Sequence, residues 1–441
     1  MIEDNFQVDE PARNVPEGGA ATKPGAPRTL LSRFALLAAA DIFCRLTRFL
    51  ADVALGRHFG RAVFGQLNLA QSLAVQGMSV AGGGLDTFGM REAAAGRMPA
   101  GPLAATIVLL RAALGIVVWA IVAAVTWLVP QYRESFVLAA LYGLSIFTGA
   151  LTVGWLAQAL GRMNVVALSL VSTHIVYFGG VQIAVQQAWP AASVPVILVG
   201  AETLTAAGLW LWLVRRFGAL PRPLPLRAAL QILRESLPIG GANIVRALTT
   251  GSDILLLGLF VSEAAVGIYG AGFKLYSLGA AIIALYLSVL LPHLAASRLE
   301  SKSPADRGDD RARDFLRTAM QRALAPALLA AAVVVPAAWL AAGLALRLLF
   351  GPDFEGGAET LRILLLALPL TLVAGHFRSA LVVLGRQRLD LGLAAFGAGV
   401  HVAAKVVLIF VAGPIGCAAG TIAGEAALAL CACVAYYRQA A

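Results

Sequence analysis

The chain has 441 residues, 59% hydrophobic and only 13% charged, with a mean hydropathy of +0.80. Soluble domains carry roughly 25% charged residues, so this composition excludes a soluble globular protein and indicates a polytopic membrane protein. The net charge of +10 is accordingly read as basic residues at span ends facing anionic lipid, not as a nucleic-acid surface.

Residues 1–30 are polar, with Glu3, Asp4, Asp9, Glu10 and Glu17 and no apolar run. They read as a disordered cytoplasmic tail, not as a signal peptide. A helix needs about 20 apolar residues to cross a bilayer. Punctuating the chain at its polar, Pro and Gly clusters gives twelve spans, near 31–56, 63–90, 102–129, 136–160, 164–187, 191–215, 232–260, 264–297, 319–347, 360–384, 389–412 and 415–437. With the N-terminus inside, 22 Lys and Arg residues fall in inner segments and five in outer ones, which places both termini on the cytoplasmic side. Cys44, Cys417, Cys431 and Cys433 all lie in apolar runs and read as small core residues.

Seven cations fall inside the spans: Arg45, Arg48, Arg111, Arg246, Lys274, Arg378 and Lys405. Each costs roughly 2.5–3.5 kcal/mol at a helix centre, so seven facing lipid is untenable and a common aqueous interior is expected. The first span places Asp41, Arg45, Arg48 and Asp52 within roughly a 60° arc of one helix face. That stripe is either the wall of a wet cavity or two intrahelical pairs, Asp41 with Arg45 and Arg48 with Asp52.

The sequence also repeats. Arg45 and Asp52 are matched 201 residues on by Arg246 and Asp253, Gly65 by Gly267, and Glu202 by Glu425. ALGRMN at 159–164 echoes VLGRQR at 383–388, the longer offset being explained by the polar insertion at 298–315. Each half holds six spans, so the halves share one orientation and the repeat axis runs along the membrane normal. The expected fold is all-α, with twelve transmembrane helices in two six-helix bundles, 31–215 and 232–437, joined by a Pro- and Arg-rich cytoplasmic linker at 216–231. The first and seventh spans become equivalent inner walls of a central cleft. Gly82-Gly83-Gly84, Gly179-Gly180 and Gly240-Gly241 read as sites of close helix packing or bending.

Several stretches, in order, resemble the Wzx-type oligosaccharide flippases of the multidrug/oligosaccharidyl-lipid/polysaccharide exporter superfamily. They are LGRHFGRAVFGQLNLAQSL, GGLDTFGMREAAAG, AVGIYGAGFKLYSL, LFGPDFEGGAETLRILLLALPL, VLGRQR and GPIGCAAGTIAGEAALAL. The resemblance implies translocation of an undecaprenyl-pyrophosphate-linked oligosaccharide to the outer leaflet of the cytoplasmic (inner) membrane, for lipopolysaccharide or another surface polysaccharide. No enzyme chemistry, cofactor or metal is implied. Lipid and the lipid-linked oligosaccharide are the partners, with a polysaccharide polymerase or glycosyltransferases as neighbours in the pathway.

A pyrophosphate calls for cations, and Arg suits it through its planar fork. Arg45, Arg48 and Arg246 are therefore expected at the pyrophosphate, with Lys274 and Lys405 as further cavity cations. Asp41, Asp52 and Asp253 are spaced to compensate these charges when the cavity is empty. Asp52, Asp253, Glu202 and Glu425 are candidates for ion coupling, Glu202 and Glu425 being read first as packing residues. Arg111 and Arg378 lie nearer span ends and read as structural, while His174 and His401 are lone helical histidines. The rival on the same fold is an ion-coupled multidrug exporter, whose cavity should be acidic or aromatic. A polymerase or glycosyltransferase needs a larger outer loop than 349–359.

Overall fold

The computed structural model describes residues 27–218, 221–300 and 309–440. Its elements are helices α1 (Pro27–Gly82), α2 (Leu85–Ala94), α3 (Ala100–Leu128), α4 (Phe136–Gly143), α5 (Ser145–Leu151), α6 (Gly154–Ala159), α7 (Met163–Gln186) and α8 (Ser193–Phe217). The second half holds α9 (Leu226–Phe260), α10 (Glu263–Glu300), α11 (Asp309–Phe350), α12 (Ala358–Val383) and α13 (Gln387–Ala440). Two of these are pairs of spans joined without a loop. α1 breaks at Gly60, whose φ of 73° is open to glycine at little cost. α13 breaks at Ala412 and Gly413, just before Pro414, which has no N–H with which to continue the helix. The fourth span is the reverse case, one crossing assembled from α4, α5 and α6.

With α1 and α13 each counted as two spans, the twelve crossings of the sequence analysis are all present, in a two-lobed all-helical fold. Four details differ. Helix α1 already begins at Pro27, inside the expected 1–30 tail, of which 1–26 lie outside the described residues. The second span stops at Gly82, and Gly83 and Gly84, both at positive φ, turn the chain into the separate helix α2. The linker is shorter than 216–231, because α8 runs to Phe217 and α9 begins at Leu226. The polar insertion at 298–315 is helical wherever it is described, as the end of α10 to Glu300 and the start of α11 from Asp309.

Eight segments among the described residues are long and apolar enough to span a membrane. The crossings that miss this standard are the two halves of α1 and the helix α9, of which only Gly251–Phe260 counts as a short apolar helix. Together with α10, they line the space between the lobes. The rest carry exposed apolar side chains such as Ile116, Leu168, Leu340 and Val411, as a lipid-facing surface requires. The protein is a multi-pass membrane protein.

We call the face bearing the turns near residues 60, 130, 190, 262, 351 and 413 distal, and the opposite face proximal. The cores differ between the two. Distally, one cluster runs through both lobes, from Leu55, Phe64 and Leu69 to Tyr269, Phe350 and Leu364. Proximally there are two separate cores. One holds Leu85, Phe88, Ile107 and Leu213, and the other holds Leu290, Leu294, Phe377 and Tyr436. The lobes thus share one large core distally, while proximally only Ile232 of α9, with Leu224 and Ile239 beside it, joins the first-lobe core from the second half.

Candidate cleft between the lobes

Two polar cavities lie in line between the lobes. The deeper, about 310 Å³, is lined by Arg48, Asn68, Gln71, Ser72, Gln76 and Lys274, among others. The second, about 390 Å³, shares Ser79 and Ala247 with it and adds Asp86, Thr87, Arg111 and Asn243. Both ends are closed by glycine. Distally, Gly65 of α1 crosses Gly267 of α10, with no room for a side chain on either. Proximally, Gly83 and Gly84 meet Gly240 of α9.

The distal closure is reinforced. Phe64 packs on Phe350 and Phe354 with ring centroids 5.7 and 5.8 Å apart. Arg57 donates to the carbonyls of Leu348 and Leu349 at the end of α11. Gln66 donates to Glu263 at 2.6 Å, and the Tyr132 hydroxyl to the Leu255 carbonyl at 2.6 Å.

The charged stripe of α1 divides. Arg45 and Asp41 pair with each other at 2.7 Å, half exposed, outside the lining of both cavities. The other expected intrahelical pair does not form. Arg48 stands over the Tyr177 ring, 5.3 Å from its centroid, and makes no ion pair among the described residues. Asp52 instead faces Lys274 of α10, Nζ lying 2.8 Å from Oδ2. This contact is ionic, since Oδ2 accepts no hydrogen bond of acceptable angle. Lys274 also donates to Gln71 at 3.3 Å. Arg48, Asp52 and Lys274 are therefore brought together at the cleft.

Lys405 is not. Expected as a cavity cation, it is 1% exposed and sits inside the second lobe, bonded to Asp253. Tyr269 and Thr421 donate to the same carboxylate at 2.5 and 3.3 Å. The glycine face of α13 explains the burial. A Cβ on Gly420 would strike Lys405 and one on Gly424 would strike His401, so the two halves of α13 pack too closely for either side chain to escape. Asp253 thus pairs with a lysine of the neighbouring helix α13.

The repeat-equivalent glutamates are both internal to their lobes. Glu202 accepts from Thr148, while Glu425 lies 3.6 Å from His401. Arg111 pairs with Asp86 at 2.7 Å in the wall of the proximal cavity, and Arg378 pairs with Asp390 through two nitrogens. His174 bonds the carbonyl of Leu170. The side chain of Arg246 lies outside the described residues, although its neighbours Asn243, Ala247 and Gly251 line the cleft.

One functional feature escaped the sequence reading. Asn68, Gln71, Ser72, Gln76 and Ser79 recur at helical spacing along the second half of α1 and line the deep cavity. The signal was present as an amide and hydroxyl stripe in NLAQSLAVQGMS.

Residues 30–297 match the model of a family described as polysaccharide biosynthesis proteins. The chain belongs to this family. No curated protein matches the sequence. Among solved structures, this family member is similar to the lipid II flippase MurJ in an inward closed conformation. The TM-score is 0.73 at 12% identity, over 91% of this chain and 87% of that one. It is similar to a multidrug resistance MATE family transporter of the MOP superfamily in its inward-facing conformation, with TM-score 0.72, 16% identity, and 90% and 94% of the two chains covered. An outward-facing MATE structure gives a TM-score of only 0.54 at the same 16% identity, covering 92% and 95%. In this family member the lobes meet at the distal face, where Gly65 crosses Gly267.

Proposed function

We propose that the protein is a flippase that carries an undecaprenyl-pyrophosphate-linked oligosaccharide from the inner to the outer leaflet of the cytoplasmic membrane. The family match to polysaccharide biosynthesis and the MOP-type fold support a transporter working in that pathway. The observation that carries the choice of cargo is Arg48, an arginine facing the deep cavity with no carboxylate bound to it among the described residues.

In this reading the proximal face is cytoplasmic, which agrees with the excess of Lys and Arg in its segments. Arg48 and Lys274 hold the pyrophosphate, Arg48 through its fork and Lys274 as a point charge. The amide and hydroxyl stripe from Asn68 to Ser79 offers both donors and acceptors to sugar hydroxyls. The prenyl tail stays in lipid. The two lobes, 31–215 and 232–437, rock against each other, parting at the distal core or at the proximal seal in turn, so that the cavity faces one leaflet at a time. No bond is made or broken.

A cationic drug needs a free carboxylate in the cleft. The described ones are occupied, Asp52 by Lys274 and Asp86 by Arg111. That argues against the multidrug alternative.

The test is complementation of a deletion strain, scored for surface polysaccharide and for lipid-linked oligosaccharide. A hydrogen bond to a charged group contributes about 1.5–3 kcal/mol, so Arg48→Ala should cut surface polysaccharide by about tenfold or more. Lipid-linked units should accumulate on the cytoplasmic side. Full activity of Arg48→Ala at wild-type expression would refute the assignment.

A further inference from the structure

Asp52 and Asp253 occupy matching places in the two halves of the sequence, yet their surroundings are opposite in kind. Asp253 is saturated from within its own lobe by Lys405, Tyr269 and Thr421. Asp52 is 4% exposed, and its ionic partner Lys274 belongs to the other lobe. This is the one ion pair that crosses between the lobes among the described residues. Lys274 reaches a second group of the opposite lobe, Gln71, and at the same time forms part of the cavity wall alongside Arg48.

These positions set up a competition. A buried carboxylate holds a nearby cation strongly, so in the empty cleft the pair fastens α10 to α1. A multiply charged anion entering beside Arg48 meets the same ammonium. It carries more charge than Asp52 and offers better hydrogen-bond geometry than a carboxylate oxygen that accepts no bond along its lone pairs. Arg48 stands one helical turn from Asp52 and has five donors, enough to serve cargo and Asp52 together once Lys274 has left.

We propose that Lys274 is a cargo-operated latch, tying the lobes together through Asp52 when the cleft is empty and transferring to the pyrophosphate when cargo binds, so that α10 is released from α1 only in the loaded protein. The inference rests on the reading of the cleft as a pyrophosphate site. The latch forms only in the distally closed arrangement, so it does not oppose the return of the emptied protein to that state. It is a second role for Lys274 beyond holding the anion, and it makes Asp52 a positioning residue that competes with cargo.

The test uses the full-length protein in phosphatidylcholine nanodiscs, titrated with geranyl pyrophosphate. Asp52→Asn removes the competitor and should bind about tenfold tighter than wild type. Lys274→Met should bind at least about tenfold more weakly, and Lys274→Arg should recover most of the loss. A pair with a merely structural role would not tighten binding when broken. An independent readout needs no variant: saturating geranyl pyrophosphate should raise amide hydrogen exchange in α10 around residues 267–277 of the wild type. If Asp52→Asn binds no tighter, or exchange in that segment falls or stays unchanged, the latch is overturned and the pyrophosphate site stands. If the wild type binds no geranyl pyrophosphate, both readings fall. If the Asp52→Asn gain is abolished by phosphatidylglycerol in the nanodisc, the capturing anion is a phospholipid headgroup, and the cargo assignment of the latch is overturned.

Discussion

Replacing Gly65 or Gly267 with alanine should tilt the protein toward distal opening. A Cβ on Gly65 would lie 2.8 Å from the carbonyl carbon of Glu263 and 2.9 Å from the amide nitrogen of Gly267, with the Glu263 oxygen closer still. A Cβ on Gly267 would meet the Arg61 carbonyl and the Gly65 nitrogen in the same way. These neighbours are backbone and cannot rotate aside. Heavy atoms rest about 3.5–4.0 Å apart, so α1 and α10 must part locally by close to 1 Å or more. Overpacking of this kind costs about 1–3 kcal/mol. Because the cost falls only on the distally closed state, the closed-to-open ratio should drop by about 5- to 150-fold. Gly240→Ala acts at the other end, where its Cβ would lie 2.7 Å from the Gly83 carbonyl carbon, and should favour proximal opening. The assay is labelling of a Ser72→Cys variant, whose thiol lines the deep cavity, by a membrane-impermeant maleimide added from either face. Gly65→Ala should raise distal labelling and Gly240→Ala proximal labelling. Gly82→Ala, where a Cβ meets nothing within 4 Å, should be silent. Gly65→Ala and Gly240→Ala shifting labelling in the same direction, or Gly82→Ala matching either, would refute the two-gate reasoning.

Breaking the buried pair in the second lobe should be a stability effect. Lys405→Met leaves Asp253 uncompensated, and loss of one partner of such a pair costs about 3–5 kcal/mol. The double variant Lys405→Met/Asp253→Leu should melt closer to wild type than either single variant, as read by thermal unfolding in detergent; additive losses would show that the two side chains act separately. Arg57→Ala removes the donor to the two carbonyls that end α11 and should lower the melting temperature modestly, by an amount in line with about 1–3 kcal/mol. It should also raise distal labelling of the same Ser72→Cys reporter, and an unchanged labelling pattern would mean that the contact is peripheral to the gate.

The sequence was most informative where a single helix face carries the signal. The twelve crossings, the sixfold halves and the charged stripe of α1 all follow from apolar length, Lys and Arg placement and helical spacing. Partner choice was not legible in the same way. Spacing along one helix suggested Arg48 with Asp52 and an arginine of α9 with Asp253. In the structure both aspartates reach lysines on other helices. Intrahelical spacing gives the set of permitted partners but says nothing of what another helix brings within reach, and an ammonium from a neighbouring helix prevails where the helices are packed on glycine. Lys405 shows this best, since Gly420 and Gly424 draw the two halves of α13 so close that Lys405 and His401 are sealed between them. The helix that begins in the linker, at Leu226, was hidden because its first residues carry Arg227 and Arg234, so an apolar criterion starts counting too late.

The two closures are unequal, and the inequality bears on how such a protein works. Distal opening has to divide a core shared by both lobes, part the rings of Phe64, Phe350 and Phe354, and release Arg57, the Gln66–Glu263 bond and the Tyr132–Leu255 bond. At the proximal end the shared packing is smaller: α9 lends Ile232 and Ile239 to the core of the first lobe, and the glycine backbones cross beside them. Burial of apolar area is the dominant favourable term in such packing, so the empty protein rests distally closed with its proximal seal the easier one to part. Such a resting state is poised to receive cargo from the proximal leaflet. For transport to proceed, binding must offset the distal packing, and a ligand shifts a conformational equilibrium only by its differential affinity for the two states. An anion that removes Lys274 from Asp52 supplies such a difference, because it weakens a contact present only in the closed form. The polar stripe from Asn68 to Ser79 stands directly proximal to the Gly65 crossing on the same helix, so cargo seated on it lies against the element that has to move.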